Sequence, residues 1–492
     1  MASSSSTNRL SKSRFAAGLQ CHKLLWWRVH EPDAPELKPD PSLQALFDAG
    51  TAVGVEARKR VPGGVLIDFP YNEFGKKLKA TAQAVAAGAP VIYEASFVAD
   101  NTFVAIDILE RHDDAYTVIE VKSSTSVKDE HIPDLAIQVH VARHAGLKVT
   151  RAELMHLNSE CRYPDLSNLF VREDVTGRVE EILPQIPTLI AEQLNVLAGS
   201  LPDVAIGAHC KKPQKCPFWD RCWGHLPAHH VSALYSIQYK KVEEFEKQGW
   251  TTIHDLPETA KLSAIQSRQT RSVKAGQKLI EPGLRAELAP FTGRLAYLDF
   301  ETVSIAIPCW DGLGPWDKMP VQFSCHTATK DGGLDHTEWI ADGPTDPRRE
   351  QAERIIAACE GVAGVVAYNA PFERACLKVL AEGVPDLATE LDAVAAKLLD
   401  PLPIVRNFVY DPEFNGSFSL KSVLPALIED IRYEGMAIDE GGLASVRLVE
   451  LMFNANMPAE EREAIRKNLL DYCRLDTLAT VRLVEKLREM AG

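Results

Sequence analysis

Four cysteines set the strongest constraint on how this chain folds. Cys21 stands near the start, and Cys210, Cys216 and Cys222 follow about 190 residues later in CKKPQKCPFWDRC, with five residues between neighbours. Four thiolates drawn from the two ends of one stretch suit a metal or iron–sulfur centre that ties those ends together. Zinc held by four cysteines commonly uses pairs two to four residues apart. The wider spacing here points to a 4Fe–4S cluster, with zinc and ordinary buried thiols as the alternatives. Cys161, Cys309, Cys325, Cys359, Cys376 and Cys473 are scattered singly and read as packing residues.

A chain of 492 residues is too long for one ordinary core and implies two or three domains. The net charge of −14 excludes a broadly basic protein that coats nucleic acid. It leaves room for a local basic stripe, as in Arg58-Lys59-Arg60 and Lys76-Lys77-Lys79. The polar start MASSSSTNRL lacks the apolar core of a signal peptide, and no run is long enough to span a bilayer. The expected setting is the cytosol, where thiols stay reduced.

The expected organisation is a disordered tail over 1–8, a catalytic domain over 9–230, a helical connector over 231–290 and a second α/β domain over 291–492. Within the first domain, VIYEASFVA, TFVAIDILE and YTVIEVKSS read as consecutive strands separated by Asp100-Asn101 and Asp113-Asp114. Asp107 lies in the second strand. Glu120 and Lys122, two apart in the third, share a face. Two carboxylates and a lysine converging at a sheet can hold a divalent ion and steady an attacking water.

This D…ExK pattern inside the cysteine bracket resembles the PD-(D/E)xK nuclease superfamily, specifically its RecB-like branch with an iron–sulfur cluster. The resemblance spans about residues 9–225. It implies a restriction-endonuclease-like α/β fold, a cysteine in the first helix (LSKSRFAAGLQCHKLLWW) and three more after the nuclease core. Asp107, Glu120 and Lys122 match the metal-binding and catalytic positions, and Glu94 is a further candidate carboxylate. Gln138 matches the glutamine of the QxxxY motif, which contacts substrate. Three features depart from the pattern. Ala142 stands at that motif's tyrosine, Gly54 at the upstream histidine, and the cysteine spacing is wider. A decayed first site that still binds nucleic acid therefore remains an alternative.

The connector segment VEEFEKQGWTTIHDLPE resembles helix–hairpin–helix modules, in which turn amides hold phosphates; a plain helical linker is the other reading. Arg268, Arg271 and Lys274 serve either.

In the last domain LAYLDFET is a buried strand with Asp299 and Glu301 on one face. GVVAYNAPFE turns from strand to helix and delivers Glu373. LLDYCRLDTLATVRLVEKL is a periodic helix placing Tyr472 and Asp476 four apart on one face. This order resembles the DEDD exonucleases of the RNase H-like, DnaQ-type fold, in the YxxxD subgroup. The resemblance makes Asp299, Glu301, Glu373 and Asp476 ligands for Mg²⁺ or Mn²⁺, and Tyr472 the residue that positions or deprotonates water. It makes Asn369, Phe372, Asp400 and Lys421 candidate substrate contacts. Trp310 and Trp316, among glycines and prolines, either stack on a base or cap the core. The pairing of domains resembles bacterial proteins that join a RecB-like nuclease to a DEDD 3′–5′ exonuclease. It implies hydrolysis of nucleic acid, DNA foremost, in repair or defence, with no membrane partner and a helicase partner left open. RNA processing and redox sensing through the cluster are the rival expectations.

Overall fold

The β-branched runs after residue 90 form strands because tight turns bound them and their side chains are buried on both faces. The computed structural model describes residues 9–492 apart from Tyr71, Glu429, Asp430 and Asp439, so the tail expected over 1–8 lies outside the described residues. Short strands Leu10–Ser11 (β1) and Val65–Leu66 (β2) precede the long strands Val91–Ala99 (β3), Thr102–His112 (β4) and Ala115–Lys122 (β5). Val149–Leu157 (β6) and Phe170–Asp174 (β7) complete a seven-stranded sheet ordered β2-β3-β4-β5-β6-β7, with β1 beside β4. β3 and β4 are antiparallel and joined by Asp100 and Asn101, both left-handed (φ 48° and 54°), as a two-residue type I′ hairpin turn requires.

The helices of this unit begin with Lys12–Gln20 (α1), His22–His30 (α2), Pro41–Arg60 (α3), Phe74–Ala86 (α4) and His131–His144 (α5). α5 is buried over most of its length, so it carries apolar residues nearly all round. It packs on one face of the sheet with Phe15 of α1 and Leu25 of α2. Ala57 and Val61, at the end of α3, cover the other face against Tyr93, Ile108 and Ile119. The helix expected through Cys21 is two helices. Cys21 is extended (φ −163°, ψ 129°), its N–H ends α1 on Ala17 O and its carbonyl opens α2.

The second unit holds Leu279–Ile280 (β8), Leu295–Ser304 (β9), Lys318–Ala328 (β10), Leu334–Ile340 (β11), Gly364–Val366 (β12), Leu398–Leu399 (β13) and Val409–Tyr410 (β14). Its five-stranded sheet runs β11-β10-β9-β12-β13, with β10 antiparallel and β12 parallel to β9, while β14 pairs with β8. Leu298, Phe300, Phe323 and Val365 pack with Ile355, Leu377 and Leu380 as its core. Both units are mixed α/β, and among the described residues no helix is long and apolar enough to cross a membrane.

The division falls at His225/Leu226 rather than at 230, and residues 231–290 belong with the second unit rather than standing alone. In that stretch the second helix expected after Gly249 (φ 81°) is a single 3-10 turn, Ile253–Asp255. Arg268 and Arg271 pair with Glu281, and Lys274 donates to Leu256 O, so these three cations are engaged within the fold. Residues Ile305–Trp316 join the first unit. Ala306 and Trp316 pack with Val53, Leu157 and Leu169, and the Trp316 indole N–H donates to Ser123 O at 2.5 Å. Trp310 is buried. Trp316 thus caps a core of the first unit, the capping alternative of the two expected for this segment.

Candidate active sites

Strand register assembles the first site. β3 pairs Tyr93 with Ile108 and Ala95 with Ile106, which sets Glu94 opposite Asp107. The β4–β5 ladder ends at Ile108–Ile119, so Asp107 and Glu120 stand just past its last paired residues. Where the ladder stops, Asp107 Oδ2 takes the Val121 N–H at 2.7 Å. Residues two apart in a regular strand share a face. Tyr93 and Ile108 nevertheless pack toward α3, and Ala95 and Ile106 toward α5. Both strands thus change faces at the Glu94–Asp107 rung. Glu94 has φ 58°, a left-handed conformation costing on the order of 1–3 kcal/mol for such a residue. A cleft of about 470 Å³ opens there, lined by Glu94, Asp107, Glu120 and Lys122 with Gly50, Gly54 and Arg58 of α3.

Two residues that the sequence motifs do not mark complete this site. Lys12, the first residue of α1, meets Glu120 Oε1 at 2.8 Å, the same oxygen that Lys122 meets at 2.8 Å. Asp134 of α5 takes Lys122 Nζ at 2.5 Å. Asp134 lies one helical turn before Gln138, a spacing that could have flagged it; Lys12, 108 residues from Glu120, carries no local signal. Gln138 is fully buried and donates to Glu120 Oε2 at 2.8 Å, so it orients that carboxylate.

Burial pushes Asp107 up to about 7, with Glu120 and Glu94 adding to the shift and Lys12 opposing it. Burial likewise raises Glu94 and Asp134. Glu120 behaves oppositely: burial disfavours its charge, but the Lys12 and Lys122 ammoniums prevail and hold it below the usual carboxylate range. A divalent ion shared by Asp107 and Glu120 therefore requires Lys12 to yield its oxygen. An added Cβ at Gly54 meets nothing within 4 Å, whereas Ala142 is fully buried in the core and leaves no room for a tyrosine.

The four cysteines Cys21, Cys210, Cys216 and Cys222 line one small cavity with Trp27, Phe218, Trp219 and Trp223. Gln20 ties α1 to the cysteine loop through His209 O (2.9 Å) and Gln214 O (2.8 Å). Arg221 bridges back to Glu31 and Glu36, each at 2.6 Å. Burial first, then the neighbouring thiols Cys21, Cys210 and Cys222, push Cys216 up to about 11. Among the described residues no three of these sulfurs lie within 4.8 Å of one another. Tetrahedral zinc at about 2.3 Å would hold them about 3.8 Å apart. None of the ten cysteines is paired in a disulfide. Cys161, Cys325, Cys359 and Cys376 are buried as expected, but Cys473 lies 3.4 Å from Asp299 Oδ2.

The second site joins a strand to a helix. Asp299 and Glu301 project from β9, Asp476 from the helix Ala459–Ala491, and their carboxylate oxygens lie within 4.8 Å of one another. Glu373, in the first turn of the helix Pro371–Gly383, is buried, and its Oε2 has no hydrogen-bond partner. Burial is the leading cause of the upward shift at each acid. Asp299 and Glu301 rise well above the carboxylate range, Glu373 to about 9 and Asp476 to about 6. Crowded, proton-hungry carboxylates with an orphaned oxygen form a hard donor set that fits Mg²⁺ or Mn²⁺.

Lys421 Nζ donates to Tyr472 Oη at 3.1 Å, and Tyr433, which no motif marks, donates its hydroxyl to Asp476. Burial first, and then the Asp476 charge, raise the Tyr472 phenol, which favours its protonated form. Asp400 accepts the N–H groups of Asn369 (3.1 Å), Ala370 (3.1 Å) and Leu402 (2.9 Å). Asp400 and left-handed Asn369 (φ 73°) thus hold the turn that launches the Glu373 helix. Both residues thereby support the second site's geometry. The Phe372 ring lies 4.9 Å from Lys318 Nζ.

A family described as a domain of unknown function (DUF2779) matches residues 296–419, about a quarter of the chain. The match takes in Asp299, Glu301, Glu373 and Asp400 and stops before Lys421, Tyr433, Tyr472 and Asp476. No curated protein matches the chain.

Proposed function

We propose that this chain is a divalent-metal-dependent nuclease with two hydrolytic sites. In this reading the first unit is a RecB-like PD-(D/E)xK nuclease stapled by a 4Fe–4S cluster, and the second an RNase H-like DEDD exonuclease working 3′ to 5′ on single-stranded DNA. The observation that carries the proposal is the convergence of Asp299, Glu301 and Asp476 within 4.8 Å, with Glu373, which feels the charge of Asp299, leaving its Oε2 unpaired. Asp299, Glu301, Glu373 and Asp476 would hold Mg²⁺ or Mn²⁺, which when bound supplies Lewis-acid activation of water and of the scissile phosphate. Tyr472, kept protonated by burial, positions the attacking water, and Lys421 fixes the phenol. Tyr433 holds Asp476 in place.

At the first site Lys122 stands ready to stabilise charge on a phosphate, oriented by Asp134 and Glu120. A second reading, in which the first unit binds nucleic acid without cutting it, is favoured by one observation: Lys12 already occupies the Glu120 oxygen. For the staple, four cysteines from the two ends of the unit lining one cavity support a metal centre, and their wide sequence spacing favours the cluster over zinc. Its expected signature is a brown anaerobic preparation with broad visible absorption; a colourless protein containing zinc rejects it. The substrate is tested with end-labelled single-stranded DNA, duplex DNA and RNA of one sequence in Mn²⁺. Preferential loss of the DNA single strand is expected. Exclusive cleavage of RNA would replace the proposal with an RNA-processing enzyme.

A further inference from the structure

A second kind of metal-ligating cluster stands on the first unit, built from residues that neither proposed active site uses. His140 and His144 are four apart on α5, so their rings share one face of the helix, with centroids 4.0 Å apart. Asp100, from the β3–β4 hairpin turn, reaches between them. His140 Nε2 lies 2.7 Å and His144 Nδ1 2.5 Å from the same oxygen, Asp100 Oδ2. One ligand atom from each residue falls within 4.8 Å of the others.

We propose that Asp100, His140 and His144 form a binding site for a borderline divalent transition ion of the zinc class. Two imidazole nitrogens and one carboxylate oxygen are the donors such an ion prefers, and water fills the fourth position. Tetrahedral zinc at about 2.0–2.2 Å separates its ligand atoms by about 3.3–3.6 Å. The site therefore has to open by less than about 1 Å from the present hydrogen-bonded contacts. The partners differ in freedom. His140 is only 5% exposed and fixed, whereas the side chains of Asp100 and His144 are 48% and 51% exposed and free to adjust.

Preorganisation favours this arrangement. The type I′ turn leaves Asp100 little choice of position, and Leu10 N–H binds Asn101 O at 3.1 Å, pinning the turn from β1. Burial keeps the His140 imidazole in its neutral, ligand-competent form. Hard Mg²⁺ favours oxygen donors over imidazole, so this site and the carboxylate sites select different ions. The ion clamps the hairpin bearing Glu94 and Asp107 to the helix bearing Asp134 and Gln138, and so braces the floor of the first cleft without entering it.

The test is calorimetric titration of the full-length protein, its cysteine site filled and millimolar Mg²⁺ present, with Zn²⁺ and then Co²⁺ as probes. Wild type should bind one equivalent more of each ion at micromolar affinity or better than His144→Ala or Asp100→Asn. Co²⁺ in that site should give visible d–d bands without the near-ultraviolet thiolate charge transfer of a cysteine site. Asn tolerates the left-handed turn and both replaced side chains are half exposed, so circular dichroism should confirm that the variants fold. Equal stoichiometry in wild type and folded variants overturns the proposal. So does a difference accompanied by thiolate charge transfer.

Discussion

Removing Lys12 tests the electrostatics of the first site most sharply. Breaking a buried ion pair by deleting one partner typically costs about 3–5 kcal/mol. Lys122 remains on the same oxygen, and Lys12 is 28% exposed against 2% for Glu120, so the loss for Lys12→Met should be about 2–3 kcal/mol. For a unit of this size that lowers Tm by about 5–10 °C. Glu120 is depressed in the fold, so its contribution is present above the ordinary carboxylate range and lost as pH falls through the folded value. Lys12 is raised, so its contribution is complete below the ordinary lysine value of about 10.4 and fades above it. The difference between wild type and variant should thus be greatest between about pH 5 and 10 and shrink toward acid. Scanning calorimetry of both full-length proteins measures it, following the transition that Cys216→Ser also lowers. Millimolar Mn²⁺ should restore part of the loss in the variant, because Glu120 is then free to take the ion. A change below about 0.5 kcal/mol at pH 7.5, the range of an ordinary surface substitution, would refute the buried pair, as would a difference that grows on acidification.

Other consequences follow from the same geometry. The acids of the second site are raised above their unfolded values, to about 6 for Asp476 and about 9 for Glu373. The metal-free second unit should therefore lose stability as pH climbs from about 4 to 9, and Mn²⁺ should flatten that slope in urea titrations. Tyr472→Phe should lower kcat by about 10- to 100-fold while leaving the shape of the pH–rate profile between pH 6 and 9 unchanged; a lost basic limb would mean that the phenol titrates. Gly54→His, placed in open space on the cleft wall, should raise Mn²⁺-dependent cleavage by the first site in an Asp299→Asn background, and unchanged cleavage would remove α3 from the reaction. Ala142→Tyr should destabilise by about 1–3 kcal/mol through overpacking, read as a shift in urea midpoint.

β-branched runs and the turn residues that bound them made β3, β4 and β5 legible, with Asp100-Asn101 closing a tight hairpin. Residue parity along β5 and β9 put Glu120 with Lys122, and Asp299 with Glu301, on shared faces. What escaped was whatever depended on long-range closure. Lys12 reaches Glu120 across 108 residues, and Tyr433 reaches Asp476 across 43. Neither pair has a periodicity to reveal it. The face change at Glu94 was invisible because glutamate is not a residue that announces a left-handed backbone. Asp400 and Gln138 stand near the expected sites and also support them through hydrogen bonds that no motif announces. An acid before a proline-led helix caps it, and a fully buried glutamine must satisfy its amide on neighbours. Ile305–Trp316 misled because a tryptophan-rich loop between two strands of one sheet packs in the other unit.

That two separate carboxylate sets each direct hydrolysis is tested most directly by following a 3′-labelled single strand in Mn²⁺ with wild type, Asp299→Asn, Asp107→Asn and the double variant. Wild type and Asp107→Asn should release labelled mononucleotide from the first turnover. Asp299→Asn should release none and retain only the slower cleavage that the double variant abolishes. Undiminished mononucleotide release by Asp299→Asn, with the protein folded, would contradict the assignment of the second site and with it the two-site account.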